Sequence, residues 1–399
     1  ELAHALSIEA GKPIRDARGE VGRLIDTFRL AAEEAVRIEG EVLNLEISPR
    51  AHGYRGMTQQ VPIGPCSFIS PFNFPLNLVA HKVAPALAGG NAVVLKPASV
   101  TPLTALFLAR VLDEAGLPDG ALQVVLGSGS TIGGKLVSDP RVKMVTFTGS
   151  PAVGRQIARD AAMKRVTLEL GSNSATIVDE DADIDLAVDR IIAGGFAFSG
   201  QVCISVQRVI VVGGVYDEVL AKLVAGVEKL KYGDPLDPTT DVSALISRAE
   251  SERVCSWVRE AVEQGATVLT GGETPDGALL PTVVTDVTRR MKVVHHELFG
   301  PVISVLRAKD LCAAIEIAND SDYGLQAGVF TSDLNKALYA ARRLEVGGVM
   351  INEVPTFRVD HMPYGGVKGS GMGREGLKYA IEEMTEMKMV AIREIEWCP

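Results

Sequence analysis

The sequence predicts an α/β protein built on doubly wound, mostly parallel sheets. Short, predominantly apolar runs, such as CSFIS, NAVVLKP and VKMVTFTGS, alternate with helical segments across residues 62–171. The same alternation returns across residues 172–373. A strand that is apolar on both faces is buried on both, which requires helices on each side of a parallel sheet. The 399 residues, of which 47% are hydrophobic, suffice for two or three domains of ordinary size.

The elements follow in a simple order. Residues 1–41 are predicted to be helical, because LIDTFRLAAEEAVRI has apolar residues at three- and four-residue intervals. Residues 42–61 carry strand-like runs around a turn and predict a hairpin-like arm that could reach a neighbouring subunit. Residues 62–171 then form the first α/β domain together with the opening helices. Residues 172–373 form the second, and the final strand-like run, within 385–399, is expected to pair with the arm.

Composition excludes several classes of function. The net charge is −10, and 40 basic residues are scattered among 50 acidic ones, so a nucleic acid is not an expected partner. Neither an apolar run of the roughly 18 residues that span a membrane nor a basic and apolar leader is found, which predicts a cytoplasmic protein. The five cysteines are far apart, without a CxxC pair, and therefore predict reduced thiols rather than a disulfide framework or a metal site.

The first candidate motif is GSTIGGKL, residues 129–136. It fits the phosphate-binding pattern GxxxxGK, but Leu136 stands where a P-loop requires Ser or Thr to hold Mg²⁺. The motif therefore argues against an NTPase, which stays an alternative that ATP binding would test.

Two further motifs lie at the ends of predicted strands. In TFTGSPAVG, Gly149 ends a strand, Ser150 can cap a helix, Pro151 suits its first position and Gly154 allows close packing. A helix that begins in this way attracts phosphate, although an ordinary strand-to-helix turn would look the same. In LKPAS, Lys96 follows a strand where ligands bind in open α/β sheets, and it could equally be a solvated lysine.

Three side chains are candidates for chemistry. Asn73, in SPFNFP, sits between two phenylalanines, where its amide could stabilise an oxyanion or merely cap its own turn. Glu169 follows a buried strand, where burial raises a carboxyl pKa and suits a general base. Cys203, in GQVC, could be a nucleophile. A lone glutamate or cysteine is usually structural, but these two would both lie where the domains meet.

Seven motifs occur in an order that we recognise: SPFNFP, LKPAS, FTGS, LELG, GQVC, ELFGP and PYGGVKGSG. The sequence resembles the aldehyde dehydrogenase superfamily over nearly all of its length, and is most similar in character to the branch acting on lactaldehyde, phosphonoacetaldehyde or glyceraldehyde 3-phosphate. The resemblance implies a Rossmann-like cofactor domain, a catalytic domain and a small β oligomerisation arm in a homodimer or homotetramer. It also implies that helices preceding residue 1 in relatives are absent here.

The resemblance assigns the catalytic roles. Cys203 would attack a small aldehyde, and the Asn73 amide with the Cys203 backbone N–H would hold the oxyanion. Hydride would pass to NADP or NAD, and Glu169 would activate the water that hydrolyses the thioester to a free acid. Lys82 and Glu375 match a proposed proton relay. A descendant that keeps the fold but has only a structural or binding role is the alternative.

The resemblance also implies the binding residues. Ser99 stands where NAD-preferring relatives often carry glutamate, so we expect NADP to be accepted. His81, Asn352, Phe357, Arg358 and His361 match substrate-pocket positions or lie beside them, and the basic ones would favour a polar or anionic aldehyde, although Arg358 could be a surface residue. Against an anion, Val202 replaces the arginine of some phosphate-binding relatives. The expected cofactor contacts are Ser70, Pro71, Phe72, Lys96, Ser99, Gly149, Ser150, Leu170, Glu297 and Phe299.

Overall fold

A computed structural model of the chain describes residues 1–275 and 277–394. Cys398 and the other residues of the predicted arm from 395 onward lie outside the described residues. The helices are α1 (Leu2–Ala10), α2 (Ile14–Ala35), α3 (Asn77–Ala88), α4 (Leu103–Glu114), α5 (Gly134–Ser138), α6 (Pro151–Asp160), α7 (Ile184–Phe196), α8 (Tyr216–Val227), α9 (Arg248–Glu263), α10 (Lys292–His295), α11 (Leu311–Asn319), α12 (Leu334–Arg343) and α13 (Leu377–Glu383). The strands are β1 (Val42–Asn44), β2 (Tyr54–Pro62), β3 (Cys66–Ile69), β4 (Val93–Lys96), β5 (Leu122–Val124), β6 (Met144–Thr148), β7 (Arg165–Glu169), β8 (Ala175–Val178), β9 (Arg208–Val212), β10 (Thr267–Glu273), β11 (Leu279–Thr285), β12 (Val302–Ala308), β13 (Tyr323–Gly324), β14 (Gln326–Phe330), β15 (Gly348–Ile351), β16 (Val367–Lys368), β17 (Gly371–Met372) and β18 (Thr385–Arg393).

The first sheet has six strands in the order β17-β7-β6-β3-β4-β5. The five strands from β7 to β5 are parallel, and β17 pairs antiparallel with β7 at the edge. Every residue of β6 is buried, as its unbroken apolar run predicts for a central strand covered on both faces. Helices α1, α2, α3 and α4 contribute to the core on this sheet through buried residues such as Leu6, Leu24, Val79 and Leu108.

The second sheet has seven strands in the order β10-β11-β12-β9-β8-β14-β15. It is parallel except for β10, which pairs antiparallel with β11. Strands β8 and β9 are buried along their whole length and lie beside each other in the middle of the sheet. The parallel α/β architecture that the alternation of apolar runs and helices predicts is therefore confirmed.

A separate sheet of three antiparallel strands has the order β1-β2-β18. Strand β18 pairs with β2 along its full length, with Val390 opposite Met57. Three apolar side chains on strands of this sheet, Val42, Met387 and Ile392, are exposed.

The glycine-rich segment at 129–136 forms a short π-helical turn, Gly129–Gly133, that continues into α5. It follows β5, the strand at the edge of the first sheet. In the part of the chain that the structure describes, no helix is long and apolar enough to cross a membrane.

Candidate active site

A cavity of about 560 Å³ lies between the two large sheets. Its walls come from the ends of β3, β6 and β7 and from the loops that carry Cys203 and Glu297. The carboxyl ends of parallel strands meet at one edge of a sheet, which is why residues far apart in sequence converge here. The predicted site residues that line it are Ser70, Pro71, Phe72, Asn73, Gly149, Ser150, Glu169, Leu170, Cys203, Glu297 and Phe299.

The loop before Cys203 has a strained backbone. Phe198 and Ser199 have φ values of 44° and 56°, a region that non-glycine residues rarely occupy. Gly200 has φ 70°, and a Cβ there would lie 2.1 Å from the carbonyl oxygen of Gly300. Only glycine fits at this position, and the sharp turn it permits directs the next residues into the cavity.

Tertiary hydrogen bonds hold this loop in place. The backbone N–H of Phe198 donates to Asp16 at 2.9 Å, and the Ser199 hydroxyl donates to the carbonyl of Ser243 at 2.7 Å. The Gln201 side chain accepts from the backbone N–H of Ile246 at 2.9 Å. Strain of about 1–3 kcal/mol for each unusual residue persists only when surroundings fix it in this way.

Cys203 is partly buried, and its sulfur lies 3.1 Å from the hydroxyl oxygen of Tyr364. Burial raises the pKa of the Cys203 thiol to about 11, and the nearby carboxyls of Glu297 and Glu169 also raise it. The Tyr364 hydrogen bond and the charge of Arg358 act in the opposite direction. The thiol therefore needs help from its surroundings to become a nucleophile at neutral pH.

Asn73 is buried, and its side-chain amide donates to the carbonyl oxygen of Gln201 at 2.9 Å. The alternative that Asn73 merely caps its own turn is wrong, because the amide is bonded to the nucleophile loop on the other side of the cavity. One N–H of the asparagine amide is thereby used, and the second is left for another acceptor.

Glu169 is the last residue of β7 and is almost fully buried. Neither carboxylate oxygen has a hydrogen-bond partner among residues 1–275 and 277–394. Burial raises the pKa of Glu169 well above its ordinary value and the charge of Glu375 adds to this, whereas Arg358 and Lys82 oppose it. An unpaired buried carboxyl with a raised pKa is suited to accepting a proton.

Lys82 and Glu375, the predicted relay pair, are in contact. The Lys82 ammonium donates to one Glu375 oxygen at 2.7 Å, and the Arg358 guanidinium donates to the other at 3.0 Å. Burial alone would raise the pKa of Glu375, but these two cations lower it to about 2. Glu375 is therefore an anion throughout the neutral range, held between two positive charges.

In the described chain, none of the predicted substrate-pocket residues is among those that line the cavity. His81 is buried, bonded to Asp360 at 2.8 Å, and burial lowers its pKa to about 4, so it is neutral. Arg358 is not a surface residue, since its side chain is 5% exposed. Phe357 and His361 are exposed and, within the described chain, lie outside the lining of the cavity.

Asn352, the other pocket position, is a structural residue here. It has φ 53°, and its side chain accepts a hydrogen bond from the backbone N–H of Thr331 at 3.0 Å. Its amide oxygen thereby supports the turn after β15, and the residue is exposed rather than inside the cavity.

The expected phosphate site lies at the start of α6. Pro151 occupies the first turn, and a Cβ on Gly154 would lie 2.4 Å from Leu170, so helix and strand pack closely as predicted. Ser150 does not cap the helix with its side chain in the described structure, which corrects that expectation. Gly149 and Ser150, at the start of this helix, line the cavity, and the first N–H groups of a helix can bind an anion.

Two other expected cofactor contacts, Glu297 and Phe299, also line the cavity. Glu297 accepts a hydrogen bond from the Ser172 backbone at 3.0 Å, and burial raises its pKa to about 7. Phe299 stands edge-on to Phe72, with ring centroids 5.9 Å apart.

Lys96 and Ser99 are not among the residues that line the cavity, so far as the described residues show, although Ala98 and Val100 on either side of Ser99 are. The Lys96 ammonium donates to the carbonyl of Pro97 at 3.0 Å, and burial lowers its pKa. Ser99 is exposed and donates to Gly127 at 3.3 Å.

The opening helices contribute residues that the sequence did not reveal. Lys12 is fully buried, forms an ion pair with Glu20, and lies 3.8 Å and 4.3 Å from the ring centroids of Phe74 and Phe198. Glu20 in turn accepts from the backbone of Leu76, at 3.0 Å, and of the next residue. The signal in the sequence was the spacing of Lys12, Asp16 and Glu20 by four, although Lys12 lies in the loop between α1 and α2 and the other two lie on α2.

The chain matches known proteins over almost its whole length. Residues 1–390 match a family model described as the aldehyde dehydrogenase family. The 3-sulfolactaldehyde dehydrogenase of Priestia megaterium is 50% identical over 392 residues, which are 98% of this chain and 82% of that protein.

Solved structures are similarly close. Aldehyde dehydrogenase 21 from Physcomitrella patens, in complex with the reaction product succinate, has a TM-score of 0.96 and 47% identity, covering 99% of this chain and 82% of that one. The glyceraldehyde-3-phosphate dehydrogenase GapN from Methanocaldococcus jannaschii, complexed with NADP, has a TM-score of 0.94 and 42% identity, covering 98% of this chain and 85% of that one.

Proposed function

Because this chain belongs to the aldehyde dehydrogenase family and is an NAD(P)-dependent aldehyde dehydrogenase, we propose that it oxidises a small anionic aldehyde to the free acid through a covalent bond to Cys203. The observation that carries this proposal is the convergence of Cys203, Asn73 and Glu169 on one cavity from three separate segments of the chain, Glu169 from the end of β7 and the other two from loops. A thiol, an amide donor and a partnerless carboxyl are the groups that thioester formation and hydrolysis require.

In the first step the Cys203 thiol loses its proton to solvent and the thiolate sulfur bonds to the aldehyde carbon, while the carbonyl electron pair moves onto oxygen. The Asn73 amide and the Cys203 backbone N–H then stabilise that oxyanion, and each such donor contributes roughly 3 kcal/mol to the transition state. When bound, NAD(P) supplies the acceptor for the hydride that leaves the same carbon, which converts the adduct to a thioester on Cys203.

In the second step Glu169 takes a proton from water, and the resulting hydroxide attacks the thioester carbon. The C–S bond breaks, the acid is released and the thiolate is restored. The proton held by Glu169 is then lost to solvent, and Glu375 and Lys82, whose charges already influence the Glu169 carboxyl, affect how readily it leaves. A glutamate that activates water favours the free acid over transfer of the acyl group to another thiol.

The buried guanidinium of Arg358 supports an anionic substrate. It lies 3.7 Å from the ring centroid of Tyr364, whose hydroxyl is 3.1 Å from the Cys203 sulfur. The Nε–H of Arg358 is buried without a hydrogen-bond partner in the described chain. A buried donor of this kind costs about 1–3 kcal/mol until it is satisfied, and a carboxylate, phosphate or sulfonate would satisfy it. The sulfonated and dicarboxylate compounds named for two close relatives fit that charge.

The test compares two aldehydes that differ by one anionic group, 3-sulfolactaldehyde and lactaldehyde. Purified protein is assayed by NADPH or NADH formation, as wild type and as Arg358→Gln. Loss of a charge-assisted hydrogen bond worth about 1.5–3 kcal/mol should lower kcat/KM for 3-sulfolactaldehyde by roughly 10- to 150-fold more than for lactaldehyde. Because Arg358 also binds Glu375, the ratio between the substrates is the measure rather than either rate alone.

The matched control is Arg190→Gln, which removes an arginine paired with Glu353 at 2.8 Å on α7. This variant should leave the ratio between the two aldehydes unchanged. Equal losses on both substrates in Arg358→Gln would refute the anionic class, and no coenzyme reduction with any short aldehyde would refute the proposed activity.

We also propose that the three-stranded sheet mediates assembly into a homodimer or homotetramer. Val42 is 87% exposed and Met387 63% exposed, both on strands of that sheet, and such apolar surface is typical of a subunit interface. Mass measurement in solution, with Met387→Lys as the disrupting variant, tests the assembly.

The cysteines bear on the location of the protein. The four cysteines of the described residues are all free, which supports a reducing, cytoplasmic location.

A further inference from the structure

The thiol of Cys203 has a neighbour that the proposed mechanism does not use. The hydroxyl oxygen of Tyr364 lies 3.1 Å from the Cys203 sulfur, within hydrogen-bond distance for sulfur. Tyr364 is 3% exposed, so water does not compete for this contact. We propose that Tyr364 is a further catalytic residue, whose hydroxyl donates to the Cys203 thiolate and thereby increases the fraction of the reactive form. This inference rests on the proposed role of Cys203 as nucleophile.

The direction of the hydrogen bond follows from the surroundings. Burial raises the pKa of Tyr364 well above its ordinary value, and negative charge on Cys203 raises it further. The phenol therefore keeps its proton when the thiol loses one. A neutral hydroxyl beside a thiolate can only donate, and a hydrogen bond to an ionised partner is stronger than one between neutral groups.

The charged groups around the pair make this donor necessary. Glu169 and Glu297 line the same cavity as Cys203, and a negative charge on either raises the pKa of Cys203. Arg358 is the cation that favours the thiolate, but its guanidinium lies over the face of the Tyr364 ring rather than against the sulfur. The hydroxyl of Tyr364 is consequently the group that contacts the sulfur directly.

Two contacts hold the tyrosine in this orientation. Its backbone forms a pair of hydrogen bonds with Glu375, of 3.0 Å and 2.7 Å. Its ring is covered by Arg358, which is itself bonded to the Glu375 carboxylate. A donor fixed in advance loses little entropy when charge develops on its partner, which is what electrostatic stabilisation of a reacting atom requires.

The experiment is Tyr364→Phe in the full chain, without aldehyde or coenzyme. The rate of alkylation of Cys203 by iodoacetamide is measured across a pH series, with the Cys203 peptide quantified by mass spectrometry so that other thiols do not contribute. Loss of a hydrogen bond to a charged group should move the midpoint up by about 1–2 pH units, equivalent to roughly 10- to 100-fold slower alkylation at neutral pH. Phenylalanine fills the same volume, and thermal unfolding verifies the fold.

The matched control is Tyr216→Phe, which removes a buried hydroxyl bonded to Thr285 at 2.6 Å, outside the cavity. Its alkylation midpoint should equal that of the wild type. An unchanged midpoint in Tyr364→Phe, in a protein that oxidises aldehydes, overturns this inference alone. A shifted midpoint in a protein without aldehyde activity supports the hydrogen bond and overturns the proposed function instead.

Discussion

Replacing Glu169 with glutamine is expected to separate the two halves of the reaction. Glutamine keeps the size of the side chain but cannot take a proton from water. Attack by Cys203 and hydride transfer do not require that base, whereas hydrolysis of the thioester does. The variant should therefore form one coenzyme product per active site and then stall.

The magnitude follows from the surroundings of the carboxyl. Both Glu169 oxygens are buried without partners in the described chain, so no other contact compensates for the loss of the base. Removal of a positioned general base typically lowers the rate of its step by about 100- to 10,000-fold. Glu375 cannot substitute, because Lys82 and Arg358 hold its pKa at about 2 and it is a correspondingly weak base.

The assay is rapid mixing of enzyme, coenzyme and aldehyde, followed by NAD(P)H absorbance. Glu169→Gln should keep a burst close to one equivalent per subunit and lose the steady phase, whereas Cys203→Ala should lose both. Accumulation of acyl-enzyme is the kinetic sign of covalent catalysis in which the second step is slow. Loss of the burst in Glu169→Gln, or wild-type steady turnover, would refute the assignment of Glu169 to hydrolysis.

Stability offers an independent check on the same residue. Burial, the main cause, raises the pKa of Glu169 in the folded state above its value in the unfolded chain. The contribution of Glu169 to stability is therefore complete at a pH below the unfolded pKa, and it is lost as pH rises through the folded pKa. Glutamine stays neutral at every pH. The Tm of Glu169→Gln relative to wild type should therefore increase from acidic towards alkaline pH, and a difference that does not vary with pH would contradict the raised pKa.

Other substitutions have definite expected outcomes. Glu375→Gln leaves two buried cations without their carboxylate, and urea unfolding should show a loss of about 3–5 kcal/mol; a loss below ~1 kcal/mol would mean that the charges find other partners. Gly200→Ala places a methyl 2.1 Å from the carbonyl oxygen of Gly300 at a φ of 70°, so Tm and kcat should both fall, and an unaltered kcat would show that the loop can shift. Ser99→Glu should lower kcat/KM for NADP about tenfold or more relative to NAD, through repulsion of the extra phosphate; equal effects would place that phosphate elsewhere.

Much of the fold could be predicted because the local pattern of apolar residues indicates which segments are buried. The unbroken apolar runs of β3 and β6 identify central parallel strands, and the three- and four-residue periodicity of the first region identifies α2. Strands β13, β16 and β17 are two residues long each and leave no periodic pattern to detect. They form because distant segments meet, as when Gly371 pairs with Glu169 across 202 positions.

The sequence could predict the site residues that belong to short motifs, but not the contacts between residues far apart in the chain. Asn73, Glu169 and Cys203 each stand at a recognisable junction, and all three line the same cavity. The contact between Cys203 and Tyr364 joins residues 161 positions apart, and no local pattern encodes it. Likewise, Lys12 lies in the short loop between α1 and α2, where a lysine is normally solvated, and only the tertiary structure reveals it as buried.

The anchors of the Cys203 loop have a consequence for how the chain acquires activity as it folds. Asp16 reaches Phe198 across 182 positions, and Ser243 reaches Ser199 across 44. Contacts of such long range form late, since the intervening chain must be ordered first. After dilution from denaturant, helical signal should return before reactive thiol, and a partly folded intermediate with most of its secondary structure would still lack a competent nucleophile.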